Sequence, residues 1–138
     1  MCQNKETLKE VLYIEERPSA REVITLFKAA ELNGPLDDEE RIECMIKEAQ
    51  YILTARVDNQ LVGLIRVLTD FSYNAFIADL AVLPEFQNKR IGSQLLNKAT
   101  EPFEKVKFII HPGHDSGEFY KKNGFEPAPI CMVLPRKY

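Results

Sequence analysis

No run in this 138-residue chain approaches the roughly 18 consecutive apolar residues that span a bilayer, and its opening, MCQNKETLKE, lacks the apolar core of a signal peptide. The expected location is therefore the cytoplasm, with no membrane partner. Cysteine is scarce: Cys2, Cys44 and Cys131 are odd in number and show no Cys-x-x-Cys spacing. That excludes a disulfide framework or a thiolate zinc site and leaves reduced thiols. Positive charge is not in excess either, since 18 Lys and Arg face 21 Asp and Glu for a net −3, so nothing points to a nucleic-acid partner. Repeats, linkers and low-complexity stretches are missing too. What remains is 45% hydrophobic and 28% charged, an ordinary globular composition, and residues 1–138 make one domain by length. The charge is unevenly spread: residues 1–50 hold 7 basic and 12 acidic side chains, residues 51–138 hold 11 and 9. The two parts face different partners on this reading.

The periodicity predicts a mixed α and β chain. Val11 to Ile14 reads as a short strand, and Ser19 with Glu22 three residues on is a capping box that starts a helix carrying Val23, Leu26, Phe27 and Ala30. Asn33-Gly34-Pro35 stops it. A second helix begins at Asp37 or Asp38, with Ile42, Met45, Ile46 and Ala49 as its stripe. Tyr51 to Val57 and Leu61 to Leu68 form a hairpin around Asp58-Asn59-Gln60, and Phe76 to Val82 is a third antiparallel strand ending before Pro84. Ile91, Leu95, Leu96 and Ala99 mark a third helix closed by Pro102, Val106 to Ile110 a buried-type strand, and Phe119-Tyr120 a helix capped at Asn123-Gly124. Phe125-Glu126 and Ile130 to Leu134 read as the last strand, interrupted by Pro127 and Pro129.

The stretch from Leu80 to Leu96 carries the chemistry. A strand ends, a polar and basic turn follows, and an apolar-faced helix begins with Gly92 in its first turn. Free N–H groups at such a helix start, with the positive end of the dipole, form a cradle for phosphate oxygens, and a glycine admits the ligand to the main chain. Lys89 and Arg90 add formal charge.

This stretch resembles the acetyl-coenzyme A binding motif of the GNAT family of N-acetyltransferases, Gln/Arg-x-x-Gly-x-Gly/Ala after a strand closing on an apolar–Val–x–Pro segment. Gln87, Ile91 and Gly92 match; Arg90 replaces the usual glycine, and since a non-glycine at positive φ is strained, either its φ is negative or affinity for the cofactor suffers. A second family signature, Phe-Tyr-x-x-x-Gly-Phe, is present as Phe119-Tyr120-Lys121-Lys122-Asn123-Gly124-Phe125. The resemblance implies an α+β fold: a mixed, mostly antiparallel sheet of six to seven strands, splayed at the fourth, flanked by about four helices. It implies that the pantetheine arm pairs with the backbone of Leu80, Ala81 and Val82, and that the diphosphate rests on amides of Gln87, Asn88, Lys89, Arg90, Ile91, Gly92 and Ser93. Ser116 and Phe119 complete the expected coenzyme A contacts, although the family's asparagine upstream of Phe-Tyr has no match among His114, Asp115 and Ser116.

The resemblance further implies acetyl transfer from acetyl-coenzyme A, as cosubstrate, to a primary amine by direct attack in a ternary complex. Tyr120 matches the family's tyrosine, and a phenol with a reference pKa near 10 is protonated at neutral pH and can donate to the departing thiolate. A backbone N–H near Ala81 or Val82 can polarise the thioester carbonyl. Many family members carry a glutamate where this chain has Ala78; the adjacent Asp79 is the candidate base, although strand alternation puts it on the face opposite Leu80. No metal is expected, because Pro112-Gly113 between His111 and His114 does not orient a ligand pair. Cys131, the residue a covalent acetyl-enzyme would use, has no histidine near it in sequence.

In the family the acceptor site lies at the first two helices. Glu31, Asp37, Asp38, Glu39, Glu40 and Glu43 there would attract a cationic acceptor, a small amine or a lysine or N-terminal amine, and equally suit helix N-termini. A homodimer is compatible with the family. The rival reading is a non-catalytic coenzyme A binding or sensing module, which the missing strand glutamate favours and Tyr120 opposes.

Overall fold

The computed structural model describes residues 9–137, so Cys2 lies outside the described residues. The elements are β1 (Leu12–Glu15), α1 (Ala20–Ala29), α2 (Glu39–Glu48), β2 (Tyr51–Val57), β3 (Gln60–Thr69), β4 (Asn74–Val82), α3 (Ile91–Thr100), β5 (Lys107–Ile110) and α4 (Gly117–Lys122), with a 3₁₀ turn at Pro84–Phe86. The strands form one sheet in sequence order, β1-β2-β3-β4-β5. Every pairing is antiparallel except β4 with β5, whose parallel alignment requires the α3 crossover. No helix among the described residues is long and apolar enough to cross a membrane.

Local signals set the helix ends. Ser19 and Glu22 form the full capping box of α1, and Val23, Leu26 and Phe27 bury its inner stripe. The Asp38 side chain accepts from the Arg41 N–H to cap α2, whose Ile42 and Ile46 are buried. At the other end of α2, the Arg17 guanidinium donates to the carbonyls of Ile46 and Ala49, groups a helix terminus leaves unpaired. Gly124, at φ 91°, closes α4 as its amide and that of Phe125 bond back to Lys121 and Tyr120.

The core lies between the sheet and the helices. The closest approach is at Gly63 of β3, where a Cβ would meet Leu95 of α3 at 3.0 Å and the Ala81 carbonyl at 3.3 Å. A side chain at this position would press on Leu95 and on the β4 backbone, so glycine eases the seating of α3 against the sheet.

At its far side the sheet is held by a polar cluster. Arg56 of β2 bonds Glu16 after β1 and Glu22 of α1, and donates to the Asn59 carbonyl. Thr54, fully buried, donates its one hydroxyl proton to the Glu16 carboxylate at 2.6 Å, with the Ile14 carbonyl 3.1 Å away.

The expectation of six to seven strands fails. Among the described residues five form, and none follows α4. Pro127, Pro129 and Pro135 cannot donate to a ladder, and the intervening segment stays unpaired in water.

Arg56 holds the Glu16 and Glu22 carboxyls below the ordinary 4.5 of a glutamate, chiefly by hydrogen bonding. A depressed folded value means the stabilisation is complete above the unfolded value and is lost as pH falls through the folded one. Arg56→Met is expected to cost about 2 kcal/mol at pH 7. In urea denaturation, the gap between variant and wild type narrows as pH drops below 4.5; an unchanged gap at low pH would contradict this account.

Candidate active site

The site begins where β4 loses a neighbour. β4 pairs with β3 as far as Val82 opposite Gly63, but with β5 only over Asn74–Ile77. From Ala78 on, β4 therefore has no strand partner on the β5 side. A register shift opposite Arg66 and Val67 leaves Ala78 without a partner, a β-bulge at the mouth of the gap. Such a bulge turns the strand and re-aims the residues that follow. Leu80, Ala81 and Val82 all lie on this free edge.

Beyond it the chain winds a cradle. The Gln87 side chain donates to the Val82 carbonyl at 3.0 Å, fastening the loop to the end of β4. Asn88 and Arg90 both take left-handed backbone, φ 62° and 65°. Arg90 is the N-cap of α3 and makes no side-chain cap, so the amides of Ile91, Gly92 and Ser93 begin the helix with no intrahelical acceptor. Left-handed residues leading into an uncapped helix start form an anion-binding concavity on the positive end of the dipole. Of the two alternatives for Arg90, the positive φ is the one adopted. Lys89 lies over the Phe86 ring, 5.5 Å from its centroid.

Three elements converge on Gly92. A Cβ there would sit 3.4 Å from the Phe119 ring of α4 and 3.8 Å from Val82 of β4. These are ordinary van der Waals distances, so β4, α3 and α4 pack side by side at this position. Phe119 packs edge-on against Tyr120, whose ring also meets Phe125. Tyr120 is buried, and burial raises its phenol above the usual value, keeping it protonated. Its hydroxyl is bonded to no described residue, so it is not locked to the backbone. Ser116 is the N-cap residue of α4 and its hydroxyl bonds the Gly113 carbonyl, within its own turn.

The carboxylate Asp79 is buried on β4 directly opposite Arg66, with Oδ2 2.5 Å from Arg66 Nε. Burial pushes its carboxyl up, and the guanidinium opposes the rise. Arg66 had no signal in the sequence; only the register reveals it. Sequence spacing also hid the partner of Cys131. His111, at the end of β5, has Nε2 3.3 Å from Cys131 Sγ, and its ring packs on Phe76. The absence of a nearby histidine in sequence did not carry over to space.

The acidic set at α1 and α2 is divided. Asp38 caps α2, Glu39 pairs with Arg21 at 3.5 Å, and Asp37 lines an open cavity of about 300 Å³ with Lys28, Leu32, Asn33, Gly34 and Leu36.

The sequence matches the profile of the acetyltransferase (GNAT) domain over residues 48–127. No curated protein sequence matches the chain. Among solved structures, it superposes on a protein of unknown function and probable acetyltransferase from meticillin-resistant Staphylococcus aureus, with a TM-score of 0.81 and 24% identity, covering 94% of this chain and 100% of that one. A GNAT-family acetyltransferase from Streptococcus pneumoniae gives a TM-score of 0.76 at 24% identity, with the same coverage of 94% and 100%. An aminoglycoside N-acetyltransferase, solved with the bisubstrate analogue CoA-S-monomethyl-acetylneamine, gives 0.68 at 14% identity, covering 94% of this chain and 99% of that one.

Left-handed backbone costs a non-glycine residue about 1–2 kcal/mol, part of which glycine's greater unfolded freedom offsets. Arg90→Gly is therefore expected to stabilise the chain by about 0.5–1 kcal/mol. A chemical-denaturation midpoint at or below wild type would show that Arg90 is not strained.

Proposed function

The chain belongs to the acetyltransferase (GNAT) domain family, and on that premise we propose that it transfers the acetyl group of acetyl-coenzyme A to a primary amine by direct attack in a ternary complex. One observation carries the reading. The free backbone edge of β4 is followed, after the Pro84–Phe86 turn and the loop fastened by Gln87, by the uncapped start of α3, and Phe119 links Gly92 there to the buried Tyr120. The residues fit the cosubstrate: an extended amide-bearing arm needs an unpaired strand edge, a diphosphate needs converging N–H groups, and a thiolate leaving group needs a proton donor.

On this reading Leu80, Ala81 and Val82 hold the arm by main-chain hydrogen bonds, and an N–H of Ala81 or Val82 polarises the thioester carbonyl as charge develops on its oxygen. Amides from Gln87 to Ser93 hold the diphosphate, with Lys89 and Arg90 adding charge around it. Tyr120 gives its proton to the leaving sulfur. The ion pair makes Asp79 a charged acceptor for the proton of the incoming ammonium rather than a free base. Its strength as a base is limited by Arg66. The cavity by Asp37 and the acidic N-terminus of α2 suit a cationic acceptor, whether a small amine or a protein amine.

Thiol release from acetyl-coenzyme A over a panel of amines tests this. Gly92→Glu is expected to abolish cofactor binding, because the side chain displaces Phe119 and sets a carboxylate in the anion cradle. Tyr120→Phe is expected to bind coenzyme A as wild type does and to lower kcat by about 10²–10⁴-fold. Undiminished binding by Gly92→Glu would overturn the cradle. Tight binding by wild type with no amine-dependent thiol release would make the chain a coenzyme A binding module.

A further inference from the structure

Of the ion pairs among the described residues, Asp79–Arg66 is the most deeply placed, with side chains 9% and 12% exposed. Burying two charges costs more than their attraction commonly returns, and apolar residues of like size would hold a sheet as well. The pair is also left half used. Arg66 Nε meets Asp79 Oδ2, while the two Nη of Arg66 and Oδ1 of Asp79 are bonded to no described residue. Among the described residues no side-chain nitrogen or oxygen is both sealed from solvent and without a partner, so these three atoms open outward.

Strand alternation sets where they open. Gly63 of β3 faces Leu95 of α3, so Ile65 and Val67 share that face while Leu64 and Arg66 turn to the other. Asp79 lies opposite Arg66 and Ala81 opposite Leu64, both on the face turned away from α3. Val82, opposite Gly63, turns the other way and lies beside Gly92 at the start of α3. The anion cradle and the ion pair therefore stand on opposite faces of β4, at the stretch that β5 leaves unpaired. Asp79 is two residues from Ala81, about 7 Å along the strand. An amine held at Asp79 is thus within reach of a thioester polarised at that edge.

What the open atoms receive follows from their charge. A lone ammonium at Asp79 Oδ1 would lie beside the Arg66 guanidinium, and like charges repel strongly where water is scarce. A carboxylate carried next to the amine removes that repulsion, and a guanidinium offers it a planar fork of N–H groups. We propose that the acceptor is a free α-amino acid, whose ammonium donates to Asp79 and whose carboxylate accepts from the two Nη of Arg66. Ligand and pair each carry one charge of either sign, so no charge is left buried alone. The inference rests on the acetyl-transfer reading and narrows its acceptor from amines at large to those bearing a carboxylate on the adjoining carbon. Arg66 is the residue that selects them, a second task beside fixing Asp79.

Thiol release from acetyl-coenzyme A is measured with the common L-amino acids, with the amines they give on decarboxylation, and with their amides. For the preferred amino acid, kcat/KM is expected to exceed that of its amine and its amide by about 100-fold, the worth of a charge-assisted fork. Arg66→Gln is expected to bring that ratio close to unity. A wild type that acetylates amines or amides as fast as amino acids would overturn the proposal and leave acetyl transfer standing, as would a ratio that Arg66→Gln does not change. Calorimetric titration of the protein in saturating coenzyme A with the same compounds reads the site without turnover. Carboxylate-dependent binding with no thiol release would keep the site and overturn acetyl transfer. No binding of any amino acid at about 10 mM, above the usual range of KM, would overturn the site. Should Arg66→Gln not fold, the wild-type comparison of each amino acid with its amine decides alone.

Discussion

The parting of β4 from β5 is the constraint on which the rest of the structure depends. β3 holds β4 along its whole length, while β5 follows it for four residues and then leaves. A strand paired on one side and open on the other has its shape fixed by the first neighbour and its hydrogen-bonding groups free for a second. The open groups begin after Ile77, the last residue of β4 that β5 pairs with. The bulge at Ala78 marks the point of divergence. Gly63 lets α3 sit close beneath this region, and Gln87 ties the following loop to the strand's last carbonyl.

The cradle therefore inherits its position from the sheet. α3 starts where it does because β4 ends at Val82 and the Pro84–Phe86 turn reverses the chain. Phe119 packs beside Gly92, bringing α4 and Tyr120 to the same place. The β4–α3 stretch and α4 meet on the same hydrophobic core, which includes Ala81, Ile91, Leu95 and Tyr120.

Much of this was legible in the sequence. The Ser19–Glu22 box, the Asp58-Asn59 hairpin turn and the Asn123-Gly124 cap are local chemistry, and local chemistry survives folding unchanged. The Gln87 to Gly92 and Phe119-Tyr120 motifs carried the family. What stayed hidden depends on register or on distance. The Asp79–Arg66 pair exists because one bulge sets those two residues opposite each other, and a shift of one position would separate them. His111 and Cys131 are 20 residues apart and meet only through the path of the chain after α4. The last strands were expected from apolar alternation, which records what a segment can pair with and not whether a partner is present in the same molecule.

The left-handed turns at Asn88 and Arg90 have a thermodynamic consequence. Their conformational entropy is surrendered when the protein folds, not when an anion arrives, so the loop meets its ligand already wound. An anion settling there would order little protein. Its affinity would follow the temperature and ionic-strength dependence of charge and hydrogen bonding, without the large heat-capacity change of a loop that folds on contact.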